Sequence, residues 1–406
     1  MTAKPDDPET IPSRAVSLRT TMALYGTSFF SLSLVPMASL VVPLWALAMG
    51  ASPFWIGIAV GARSLLPMFL SIHGGVLMDK LGTRRVMLFF AVVTMVSFPL
   101  YPLLPSLYAL VMLQLVTGLS QGLSWVGSQT LYGQFTRGSP KHAGRVTFFT
   151  NAGAFAGPLV AGVVWSAAGA TGAFALLTLW SMALLVTVLI LPRGVDRPIK
   201  SVSLRAVVPR VSDYSKAFAL CAIPVVALVM VFTFLRIAVS GMQNSFYVVY
   251  LEHIGLSGTA IGMLIGCANF VASPASLITP SKRFIKPAWL MVHATIASIL
   301  FMTITPLFTD FVVLFALAAL YGAGVGIAFP TLLSLLSNAV DPHVQGMSVG
   351  LRTTINRVAS LVVPVMMGGI AEVWDIETSF YAVGSVLMII VAATAFFLWR
   401  RPESYN

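Results

Sequence analysis

"GGVLMDKLGTRRVML", residues 74–88, sits between two long apolar runs and breaks them with charge. Asp79, Lys80, Arg84 and Arg85 crowd into seven positions, and Gly75 and Gly82 flank the first two. A glycine permits a tight turn and a close approach of two backbones. The stretch therefore reads as a short polar turn between two separate apolar helices. What surrounds those helices follows from the rest of the chain.

Of 406 residues, 58% are hydrophobic and only 9% are charged. Soluble globular chains carry about 25% charged residues. A chain this apolar has too little polar surface to face water. In lipid only helices and closed barrels satisfy the backbone, and barrel strands alternate over segments of about ten residues. Here the apolar runs are continuous and about twice that length, so the chain reads as an all-α polytopic membrane protein. Spanning the bilayer takes about 20 apolar residues. Twelve runs qualify: 20–48, 54–78, 85–104, 107–135, 144–168, 172–191, 217–251, 258–280, 287–308, 311–339, 344–371 and 378–399.

Most links are short, but residues 192–216 form a long basic one. It divides the chain into a tail (1–19), a six-helix half (20–191), a central linker (192–216), a second six-helix half (217–399) and a tail (400–406). The polar, Pro-rich N-terminus lacks the apolar core of a signal peptide. Cys221 and Cys267 both fall in apolar runs and read as core residues, not a disulfide.

Lys and Arg total 24, and all but Arg63, Arg236, Arg352 and Arg357 lie in tails or links on one side of the spans. The opposite links carry Glu252, Asp310, Glu372, Asp375 and Glu377 instead. Cationic loops stay in the cytoplasm, so both termini are expected to be cytoplasmic, in a plasma membrane such as the bacterial inner membrane. The net charge of +11 is thus a topology signal and not a nucleic-acid footprint.

Spans five and eleven share a pattern. "RVTFFTNAGAFAGPLVAG" begins at Arg145 and "RTTINRVASLVVPVMMGG" at Arg352; each continues to a proline, Pro158 or Pro364, followed by glycine. Two halves with a duplicated helix pattern indicate an internal repeat, and in transporters the substrate site lies between such repeats near the midplane.

The opening stretch resembles the signature between the second and third helices of the major facilitator superfamily. Gly75, Leu77, Asp79, Lys80, Gly82, Arg84, Arg85 and Leu88 match it; Thr83 departs where a basic residue is usual. The counterpart in the second half, "TPSKRFIKP", has bases but no Asp. The resemblance implies twelve helices in two pseudo-symmetric halves, and a gate in which Asp79 binds cations and a helix N-terminus. It also implies a cavity lined by spans one, four, seven and ten, with two, five, eight and eleven beside it. Gly157 and Pro158 resemble a Gly-Pro motif of the superfamily's exporters.

Polar side chains fit that picture. Phe232, Arg236, Ser240, Gln243 and Tyr247 recur at helical spacing on span seven, and Gln114, Gln121, Trp125, Ser128 and Tyr132 on span four. Such stripes face a wet cavity or form an interhelical hydrogen-bond seam. A charge near the bilayer centre costs roughly 2.5–3.5 kcal/mol on insertion scales, yet Arg63, Arg236 and Arg357 have no acid beside them. Either they bind backbone carbonyls or an anion arrives to neutralise them. Arg352 lies about 7.5 Å, five helical rises, from Arg357 and faces another way. With Arg145 it is expected to play a structural or gating part.

No enzyme constellation, metal-ligand spacing or phosphate loop is present, so neither catalysis nor a cofactor is expected. The sequence thus points to a monomeric secondary transporter of a small organic anion, a carboxylate, in the lipid bilayer. Arg63, Arg236 and Arg357 would meet the anion, Gln121, Gln243 and Tyr247 orient it, and Trp125 form an apolar wall. Gly75, Asp79, Gly82, Arg84, Arg85, Arg145, Arg352, Gly157, Pro158 and Pro364 would serve gating or structure. The alternative is an exporter of apolar or drug-like compounds, although no acidic residue stands ready for a cation.

Overall fold

A computed structural model describes residues 18–136, 140–192, 218–278, 286–340 and 345–400. Among them there are helices and no strand. Eleven helices are long and apolar enough to cross a membrane. The fifth of them spans Pro140–Ile190, 51 residues, about 76 Å if it were straight. It is not straight: Gly169 has φ 60° and ψ −158°. A Cβ on Gly172 would lie 3.5 Å from Cγ1 of Val164, although eight residues of straight helix separate their backbones by about 12 Å. The chain folds back at Gly169, and only glycine tolerates that angle without strain. Among the described residues the count of spans is therefore twelve.

We number them α1 (Leu18–Ala48), α2 (Pro53–Leu81), α3 (Thr83–Leu103), α4 (Leu107–Thr136), α5 (140–168) and α6 (170–190). The second half holds α7 (Pro224–His253), α8 (Gly258–Ala275), α9 (Pro287–Leu307), α10 (Phe311–Ala339), α11 (Gln345–Val373) and α12 (Ile376–Arg400). The central linker from residue 193 to 217 and both tails lie outside the described residues.

Three boundaries differ from the pattern of apolarity. α2 runs on to Leu81, so Asp79 and Lys80 belong to its last turn and Gly82 alone joins it to α3. Gly82 has φ 91° and donates its N–H to Met78 O at 2.9 Å, which closes α2 and reverses the chain in one residue. α7 starts at Pro224, after a short 3-10 turn at Leu220–Ala222, because proline is at home in the first turn of a helix and its ring obstructs an earlier start. α8 ends at Ala275, one residue past Pro274.

α1 and α7 are the most buried spans and α12 the least. The halves meet along two seams, α2 on α11 and α5 on α8. Both seams are made by glycine against a proline-bearing turn. A Cβ on Gly57 of α2 would strike Pro364 O of α11, and a Cβ on Gly262 of α8 would strike Pro158 O of α5. The repeated Pro and Gly of spans five and eleven thus occupy equivalent places in the two halves. These close contacts lie towards the end of the bundle opposite the start of α1 and the end of α12, where the halves are drawn together.

An arginine-lined centre

α4 accommodates the backbone of α2 and the end of an α11 side chain at two residues that lack side chains. A Cβ on Gly118 would strike the Arg63 carbonyl, so α4 and α2 touch through backbone. One turn further on, a Cβ on Gly122 would lie 3.7 Å from Nη2 of Arg357. The space at Gly122 admits the end of an arginine from the opposite half. Arg63 of α2 and Arg357 of α11 thus flank successive turns of α4. Arg63 is steadied by α1, through a hydrogen bond from Nη1 to Ser39 Oγ at 2.9 Å. For Arg357 no acceptor meets Nε. Gln121, next to Gly122 on α4, is buried and its Oε1 has no donor.

A second pair lies within the C-terminal half. The guanidinium carbon of Arg236 (α7) stands 4.9 Å from the ring centroid of Phe329 (α10), and that of Arg352 (α11) 5.9 Å from the same ring. Neither Nε has an acceptor. An aromatic face attracts a cation through its quadrupole but supplies no full charge. Tyr321 of α10 completes this corner, donating to Ser240 Oγ at 3.4 Å.

The other candidates are spread more widely. Gln243 is buried with Nε2 unpartnered, and Tyr247 is buried with its hydroxyl unpartnered. Both fall in a π-helical stretch, Gln243–Tyr247, that widens α7. Ser245 Oγ donates to Gly241 O at 2.6 Å there, so a side chain serves a carbonyl of the distorted turn. Trp125 is half-buried on α4. Gly157 packs on α1, where a Cβ would meet Cγ of Met37 at 2.9 Å. Arg145 and Arg85 are exposed. Arg84 is buried; it donates from Nε to Val188 O at 3.2 Å and from Nη2 to Leu189 O at 2.8 Å, gripping the end of α6. The side chain of Asp79 and the surroundings of Gly75 lie outside the described residues.

Sequence reasoning did not single out Ser39, Tyr321 or Phe329. An unpaired Phe beside Pro330, or a Ser in an apolar run, carries no periodic signal; only the packing of α10 and α1 against the arginines reveals them. Among the described residues no group of His, Cys, Asp and Glu could hold a metal ion.

Two six-helix halves around a polar centre define a multi-pass membrane transporter. The chain belongs to the major facilitator superfamily, whose family model, "Major Facilitator Superfamily", matches residues 21–280 and 229–405. It is similar to the uncharacterized MFS-type transporter YhhS of Escherichia coli (strain K12), 25% identical over 374 residues, which cover 88% of this chain and 86% of that one. Among solved structures it resembles a D323A mutant of the nucleoside transporter NupG, with TM-score 0.79 and 14% identity over 93% of this chain and 99% of that one. It also resembles the human organic anion transporter MFSD10 (TETRAN), with TM-score 0.60 and 16% identity over 93% and 99%. At these identities the structural likeness speaks to the fold alone.

Proposed function

We propose that the chain is a secondary active transporter that moves a small organic anion, a carboxylate, by rocking one half against the other. One observation carries this reading: Arg63, Arg236, Arg352 and Arg357 lie inside candidate membrane spans, and every one of the 13 Asp and Glu residues lies in a tail, a link or a span end. Buried charges are ordinarily paired. A carboxylate matches the guanidinium fork bidentately, and here it would neutralise what the protein leaves bare. Arg63, Arg236 and Arg357 are the proposed anion partners. Gln121 Oε1 and Gln243 Nε2, both without partners, would orient hydroxyl or carboxyl groups. Tyr247 would add its hydroxyl, and Trp125 an apolar wall.

Asp79 is proposed as part of the cytoplasmic gate, with both termini in the cytoplasm and the monomer as the working unit. The second reading, an exporter of apolar or drug-like compounds, draws on the aromatic lining that Phe329 provides. A thermal-shift screen of purified protein tests the two. Organic acids should raise the melting temperature by mass action. A rise with cationic dyes and none with acids would overturn the anion reading.

A further inference from the structure

The hairpin that joins α2 to α3 carries a groove that the central site does not use. Leu77 and Leu81 of α2 lie about one helical turn apart and share a face. Val86, Phe89 and Phe90 of α3 join them, and with Arg85 they line a groove of about 360 Å³. Val86 is buried, whereas Leu77, Leu81 and Phe89 are exposed. In water such a lining would be costly; beside lipid it is a place for hydrocarbon.

Arg85 is the one charged side chain in the lining. Its neighbour Arg84 is occupied by the carbonyls at the end of α6, while Arg85 is exposed. α3 has 21 residues, a length of about 31 Å that matches the roughly 30 Å of hydrocarbon in a bilayer. Arg85 stands in its first turn, at the edge of that layer, where a long cationic side chain reaches the headgroups. Phe89 lies one turn further along, inside the layer. Lys80, in the last turn of α2, adds a second positive charge at the same end. An apolar groove with cations only at its interfacial end complements a molecule with an anionic head and a hydrocarbon tail.

We propose that this groove binds an anionic phospholipid: Arg85 meets the headgroup phosphate, and Leu77, Leu81, Phe89 and Phe90 receive an acyl chain. Basic pockets on other membrane proteins hold anionic headgroups by the same attraction. The site is separate from the central arginines and stands whatever the transported substrate is. A lipid seated there touches both arms of the hairpin across Gly82, so its binding should stabilise the folded chain by mass action.

The experiment uses the purified full chain in a neutral detergent, with phosphatidylglycerol or phosphatidylcholine of identical acyl chains as the probe. Native mass spectrometry counts the lipid retained. Phosphatidylglycerol should be retained about fivefold or more over phosphatidylcholine, the worth of roughly one basic residue near an anionic surface. Arg85→Gln should bring that ratio close to one. Arg19→Gln removes an equal charge from an exposed position in the first turn of α1 and should leave the ratio as it is. Leu81→Trp fills the groove and should reduce retention of both lipids. Thermal unfolding should show phosphatidylglycerol raising the melting temperature of wild type and of Arg19→Gln, but not of Arg85→Gln. A ratio that survives Arg85→Gln overturns the proposal. So does a ratio lost equally in Arg19→Gln, which would assign the preference to diffuse charge. An equal thermal shift from inorganic phosphate would remove the acyl chain from the site and overturn it too. A dimer in wild type that disappears in Leu81→Trp would give the groove to a second copy of the chain, with the same consequence.

Discussion

Glu372, at the end of α11, accepts a hydrogen bond from the backbone N–H of Phe54 in the first turn of α2, 3.1 Å away through Oε2. The two residues are 318 positions apart and belong to opposite halves. A carboxylate at a helix N-terminus meets free N–H groups and the positive end of the helix dipole. Here that favourable end-interaction is made across the seam, at the end of the bundle opposite the start of α1, so it exists only while the halves are closed there.

Glu372→Gln keeps an acceptor and removes the charge. It should favour opening at that end by about two- to fivefold, the range for a surface charge near a helix terminus. Spin labels on cysteines at Ser52 and Trp374, in a chain without Cys221 and Cys267, report the separation by double electron–electron resonance. The long-distance population should grow in the variant. An unchanged distribution would show that the bond does not help to hold the seam.

The glycine contacts make a stronger demand on the same seams. Gly57→Ala and Gly262→Ala each press a methyl group onto a backbone carbonyl of the other half, which cannot swing aside as a side chain can. Overpacking of this kind costs about 1–3 kcal/mol, read as a fall in the melting temperature in detergent. The two variants should behave alike, because the seams are pseudo-equivalent. Gly369→Ala is the control, since a Cβ there meets nothing within 4 Å. A Gly57→Ala protein as stable as the control would mean that the seam is looser than its geometry.

Neighbouring arginines of the opening motif should differ. Arg84 holds two carbonyls at the end of α6, where helix carbonyls lack intrahelical partners. Arg84→Gln should lower stability by about 1.5–3 kcal/mol, the scale of hydrogen bonds from a charged group. Arg84→Lys should rescue it only in part, because an ammonium cannot reproduce the two-pronged geometry. Arg85 is exposed, and Arg85→Gln should change stability by less than about 0.5 kcal/mol. Equal losses at both positions, measured by thermal unfolding, would refute the distinction.

These examples show what the sequence makes legible. The hairpin at Gly82 and the doubled Pro-Gly pattern of spans five and eleven are local signals, and each corresponds to a turn or a contact in the fold. The twelve spans follow from the length of apolar runs, including the pair that Gly169 separates without any polar link. Contacts between distant spans leave no such trace. Nothing near Arg84 in sequence points to the carbonyls of residues 188 and 189. The π-helical turn at Gln243–Tyr247 contains no Gly or Pro to announce it. Helical spacing placed Arg352 and Arg357 on different faces, but it could not show that Arg352 and Arg236 share the ring of Phe329.

Arg352 is therefore the residue on which sequence and structure part most usefully. Read from its own helix, five residues from Arg357 and matched to Arg145 in the other half, it is a brace at a helix end. In the fold its guanidinium and that of Arg236 stand 5.9 Å and 4.9 Å from one Phe329 ring, with Nε of each unpartnered. An anion reaching Arg236 then comes within the field of Arg352 as well. Arg236→Gln, Arg357→Gln and Arg352→Gln should each weaken anion binding by roughly 10- to 150-fold, the equivalent of about 1.5–3 kcal/mol for a charge-assisted bond. Arg145→Gln, at the matching but exposed position, should leave binding unchanged. Isothermal titration with the best acid from the thermal screen supplies the affinities, and unfolding curves supply the stabilities. If Arg352→Gln binds as wild type and loses stability, it is the brace that its helix alone suggests. If it loses affinity and keeps stability, the anion site extends along α11 from Arg357 to Arg352, and Phe329→Leu should then weaken binding too, by freeing both guanidiniums from the ring that positions them.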